Sequence, residues 1–169
     1  MAGIAHELVN VLKEQKECYE GLYTLATYKA KAVVEKDIDF LKEVVSREEE
    51  FIGRVDILDR KREETFKDIS QVTGLNLEDL TLTKIITKIG PEQEICKELI
   101  NIRKELLAVM EKVKNQNNRN KRLIQQSMDF VEFTLNAIQT TRLQGIEVGY
   151  SRPGYENVQE MRRVFDARK

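Results

Sequence analysis

A histidine followed by a glutamate opens a zinc-binding helix signature, and the chain holds one such pair, His6-Glu7. A metalloprotease needs a second histidine one turn later, so that both imidazoles meet one metal while the glutamate acts as general base. Asn10 stands there instead. His6 is the sole histidine, so it cannot supply the Glu-x-x-His that a di-iron bundle takes from each of two helices. Glu48-Glu49-Glu50 offers three carboxylates, yet consecutive helical residues point about 100° apart, and the run reads as a solvated face. Cys18 and Cys96 form no CxxC pair, and spacing places no base beside either thiol or beside a serine. The glycines make neither GxGxxG nor a P-loop. These residues point to no enzyme, no metal and no cofactor.

The cations of Lys114 to Arg122 lie among Asn and Gln and lack the interleaved aromatics of a single-strand binder. Lys plus Arg (28) nearly cancel Asp plus Glu (29), so the whole chain has little pull on nucleic acid or an anionic bilayer. Two lone thiols in a Glu/Lys-rich sequence indicate a reducing compartment. The start carries Glu7 and no basic flank, and no stretch nears the roughly 20 apolar residues of a membrane span. A cytoplasmic protein without membrane insertion is expected. At 169 residues the length suits one domain.

The elements that carry these side chains are helices. Ile4, Leu8, Val11, Cys18, Leu22, Leu25 and Ala32 recur in steps of three, four and seven, giving a helix to about Lys36. Asp37 or Asp39 caps a restart. Leu41, Val44, Phe51, Val55, Leu58, Phe66, Ile69 and Val72 then form a second stripe, with Glu48 and Arg62 in two of its slots and Gly74 at its end. Thr81 or Thr83 caps a short segment with Leu82, Ile85, Ile86 and Ile89. Gly90-Pro91 breaks the chain and places Pro91 at the first position of the last helix. Its stripe reads Ile95, Leu99, Ile102, Leu106, Val109, Val113, Asn117, Asn120, Leu123, Ser127, Phe130, Leu135, Ile138. Helices this long, each with one apolar stripe, must pack on one another. The expectation is an all-α, elongated antiparallel bundle of three long helices, with a short extra helix folded over one end.

Charge bears on the register. Acids outnumber bases over residues 35–68, whereas Lys112, Lys114, Arg119, Lys121 and Arg122 form a run with no acid between them. Antiparallel packing sets that run roughly opposite Glu43 to Glu50, as an internal complement or, alternatively, as a surface for an acidic partner. The bundle is expected over 1–142. Residues 143–169 form a glycine-containing flexible linker and an amphipathic tail, in which Val158, Met161, Val164 and Phe165 return to helical steps. That tail is either a latch on its own bundle or a detachable binding element.

The informative stretch is 117–130, where Asn117, Asn120 and Ser127 hold stripe positions. Buried Asn in a helical seam selects register at some cost in stability; alternatively this part of the stripe is a wet groove for a partner. The Asn-x-x-Asn run followed by Leu123-Ile124-Gln125-Gln126-Ser127-Met128-Asp129-Phe130 resembles the signature of FlgN-type flagellar export chaperones. Leu8, Glu17, Tyr19, Leu22, Leu25 and Ala26 resemble that family's opening helix, and Asp37, Leu41, Val44, Glu48, Glu49, Leu58 and Arg62 its second. Leu80 to Ile86 is similar to its inter-helix segment, and Tyr150 to Gly154 to its post-helix turn. The resemblance covers about residues 8–155.

It implies a cytoplasmic chaperone for hook-associated, hook–filament junction proteins, delivered to the cytoplasmic domain of the flagellar type III export gate. By the same resemblance Val158, Met161, Val164 and Phe165 bind the client, and Tyr150 is the residue for contact with the gate. The rival expectation is a coiled-coil scaffold or adaptor that forms homo-oligomers through the same stripes and has no secreted client.

Overall fold

A computed structural model describes residues 2–148. Among the described residues four α-helices follow one another: α1 (Ala2–Glu35), α2 (Ile38–Thr73), α3 (Leu82–Ile89) and α4 (Glu94–Val148), with a 3-10 turn at Leu77–Asp79. No strand occurs among the described residues. The chain divides into two compact units, Met1–Ser127 and Met128–Lys169.

In the first unit α1 and α2 are joined by two residues. Lys36 takes φ 58°, the left-handed region, as the Asp37 N–H bonds the Ala32 carbonyl (3.0 Å) and the Lys36 N–H bonds that of Val33 (3.3 Å). That pair of bonds satisfies the last carbonyls of α1. Asp37 at once caps α2, its carboxylate accepting from the Phe40 N–H at 2.9 Å. Gly74 ends α2 at φ 68°, with its N–H on the Ser70 carbonyl. Thr81, not Thr83, caps α3. Pro91 departs from expectation. It lies in a turn closed by the Gln93 N–H on the Gly90 carbonyl (3.1 Å), and α4 starts only at Glu94. A fixed φ suits the second position of such a turn as well as it suits a helix start.

The hairpin makes α1 and α2 antiparallel, while Lys16 meets Glu105 and Ala26 meets Asn120, so α1 and α4 run parallel. The backbones of α1 and α2 run closest together. Gly21 permits this, because a Cβ there would overlap the Phe51 ring. The main core joins Leu8, Val9 and Leu12 of α1, Ile69 of α2, Ile85 and Ile86 of α3, and Ile95, Leu99, Ile102 and Leu106 of α4. The short α3 thus seals one end of the bundle, as its Ile pair predicts. A smaller cluster of Val11, Cys18, Val55 and Leu58 continues between α1 and α2.

Candidate functional site

Polar side chains interrupt each apolar stripe, and the structure pairs the interruptions. Arg62, the polar slot foreseen in α2, donates to Gln15 Oε1 (3.4 Å) and bridges Asp59 (3.0 Å); Gln15 Nε2 donates to Asp59 Oδ1 (2.7 Å). Gln15 is 1% exposed and fills the gap that the α1 spacing leaves between Val11 and Cys18. Glu48, the other slot, is buried and forms an ion pair with Lys29 of α1. The sequence showed Glu48 and Arg62 but not Gln15 or Lys29. Their signal was that both stripes break at matching heights of an antiparallel pair.

The internal charge complement takes a different form from the one expected. Among the described residues no ion pair joins the Lys112–Arg122 run to Glu43–Glu50; Glu48 turns to Lys29 and Glu43 to Arg47. The reason is spacing, for a cleft separates α2 from α4 at this height.

Of the three polar residues singled out in α4, Asn120 is buried at 3% exposure. Its Nδ2 donates to the Ala26 carbonyl at 2.7 Å and its Oδ1 accepts from Gln116 at 3.0 Å. Both ends of the amide are used, so its burial leaves no orphan. Asn117 is exposed and lines the cleft, and Ser127 is exposed. The cleft, 580 Å³, lies between α1, α2 and α4, with Leu22, Ile52, Val113 and Ile124 as apolar lining and Lys121 at its edge.

Electrostatic shifts follow burial and pairing. Lys16 Nζ donates to Glu105 Oε2 at 2.8 Å across α1 and α4, which raises the lysine and lowers the carboxylate relative to their ordinary values. Desolvation pushes the Cys18 and Cys96 thiols up, and the Tyr19 hydroxyl with them. The thiols are therefore held as poor nucleophiles. Among the described residues no three His, Cys, Asp or Glu side chains gather to hold a metal, and no helix is long and apolar enough to cross a membrane.

The second unit is described to Val148. Along its helical residues Met128, Phe130, Val131, Phe133, Leu135 and Ile138 are all exposed, from 49% at Ile138 to 71% at Phe133. Phe130, Leu135 and Ile138 were read as stripe residues; Met128, Val131 and Phe133 add to them. Here α4 continues through Gly145 to Val148. Tyr150, Val158, Met161, Val164 and Phe165 lie outside the described residues.

Comparison with curated proteins and with solved structures found no match. The family model described as FlgN protein matches residues 1–157, nearly the whole chain, including the helices, the cleft and the exposed apolar residues just described. The chain therefore belongs to the FlgN family of flagellar export chaperones.

Proposed function

We propose that the protein holds the helical termini of hook-associated, hook–filament junction proteins in the cytoplasm before type III secretion, and delivers them to the export gate. The observation that carries this reading is the set of exposed apolar side chains between Met128 and Ile138, on a chain of a chaperone family. Several large apolar side chains on one segment mark a surface for another polypeptide. Junction-protein termini that order only on assembly would present matching apolar faces, and the ordering cost keeps affinity moderate enough for release without a nucleotide. Val158, Met161, Val164 and Phe165 supply further anchors on this reading, and Tyr150 touches the gate. The protein does no catalysis and uses no cofactor.

Calorimetry with junction-protein terminal peptides tests it. Truncation after Arg142, which keeps Met128 to Ile138 and removes the further anchors, is expected to leave helicity and melting nearly intact and to weaken capture. Phe165→Ala is expected to weaken capture by about 1–3 kcal/mol, as an anchor residue does. Truncated protein that binds as well as the full chain overturns the tail assignment. Sedimentation addresses the rival: a stable high-order oligomer that takes up no junction peptide is a scaffold.

A further inference from the structure

Three long helices enclose a core at the α3 end, but further along the cleft leaves room for another helix. Ile52, on the α2 wall, is 51% exposed, and Ile124 faces the same space from α4. The floor carries no net charge, because Glu48 and Lys29 neutralise each other. The rims do carry charge, and their signs are opposite. On α2, Ile52 is flanked at helical spacing by Glu49 three residues before and Asp56 four after; both are exposed. On α4, Asn117 is flanked in the same way by Lys114 and Lys121, also exposed. Among the described residues none of these four is in an ion pair.

We propose that this cleft docks one amphipathic helix that carries apolar anchors on its inner face, carboxylates along the flank beside α4, and cations along the flank beside α2. A space of 580 Å³ admits the side chains that about two helical turns project at i, i+3 or i+4, and i+7. A helix enters such a cleft with its own backbone hydrogen bonds already made. A ligand of a single sign meets like charge on one wall, which selects against nucleic acid, anionic bilayer and uniformly acidic or basic peptides alike. The proposal rests on the lining of the cleft alone.

The test uses the full chain and three labelled synthetic peptides sharing one leucine heptad row. One bears Glu on one flank and Lys on the other, the second Glu on both, the third Lys on both; anisotropy reads binding. The mixed peptide is expected to bind at least ~10-fold tighter than either single-sign peptide. In K114E/K121E both walls become acidic, and the Lys-flanked peptide is expected to bind tightest while circular dichroism stays unchanged. Ile124→Asp is expected to lose all three. An order of affinities that the double substitution does not alter overturns the proposal, as does binding of none. A dimer in sedimentation that K114E/K121E dissociates would assign the cleft to a second copy and equally overturn it, and so would displacement of the mixed peptide by an RNA oligomer or anionic vesicles.

Discussion

Gly21 sits in the interior of a helix, where alanine would ordinarily add about 1 kcal/mol of stability. The Phe51 ring occupies the space of its missing Cβ, and Phe51 in turn packs on the Val55–Leu58 cluster and under the Arg54 guanidinium at 5.5 Å. Overpacking costs about 1–3 kcal/mol and wins. Gly21→Ala is therefore expected to lower the urea midpoint, and the same substitution in a Phe51→Leu background to raise it. An identical sign in both backgrounds would show that the ring is not what excludes the methyl group. Cys18 and Cys96 are both buried, and burial raises both thiols. Native protein is expected to react with a thiol-specific disulfide reagent far more slowly than urea-unfolded protein. Rapid native labelling of Cys96 would mean that the α3 end opens readily.

At the scale of the element, register is set by polar pairs rather than by apolar spacing alone. Sliding α4 along α1 by one heptad would put Val113 or Ser127 at the Ala26 carbonyl and cost the Asn120 Nδ2 donor its acceptor, about 1–3 kcal/mol if that donor stays buried. The Lys16–Glu105 bridge adds a pH signature. Glu105 is lowered, so its contribution is present above the ordinary carboxylate pKa and is lost as pH falls through its lowered native value. Lys16 is raised, so its contribution is present below the ordinary lysine pKa and is lost as pH rises through its higher native value. Glu105→Gln is expected to lower the denaturation midpoint at about pH 7 and not at about pH 2. An equal difference at both would remove the bridge from the account.

The helices themselves were legible, because a stripe in steps of three and four admits one folded period, and Asp37, Gly74 and Thr81 mark their ends with side-chain chemistry. The pairing of the polar slots was half legible. Glu48 and Arg62 stood out against apolar neighbours, whereas Gln15 and Lys29 looked like ordinary surface residues until the antiparallel register set them opposite. A groove at 117–130 was one of two readings of the polar stripe positions, but its width was not legible, since that depends on how far α4 stands from α2, a distance that periodicity does not encode. The segment from Met128 to Ile138 was legible as helix, while the exposure of its apolar residues was not.

The first unit, taken whole, is unevenly packed. The side chains at or near zero exposure concentrate where α3 meets the other helices: Leu8, Leu12, Ile69, Ile85, Cys96 and Leu99. Around the cleft, Ile52 and Asn117 are exposed and Lys29–Glu48 replaces apolar contact. Local opening free energy follows buried apolar contact. Hydrogen exchange is therefore expected to be slowest at residues 8–12, 69, 85 and 96–106, and faster at 46–53 and 113–124. Uniform protection along α1, α2 and α4 would contradict this division.

The turn at Lys36-Asp37 has a bearing on how the protein is made. Because it joins two long antiparallel helices through residues adjacent in sequence, the loop-closure cost of pairing them is small. The hairpin can zip as soon as Thr73 has left the ribosome, before any of α4 has emerged. Until residues 95–106 arrive, Leu8, Leu12 and Ile69 face outward as a nascent greasy surface. For an interval during its own synthesis, this chain exposes a sticky surface that its finished form conceals.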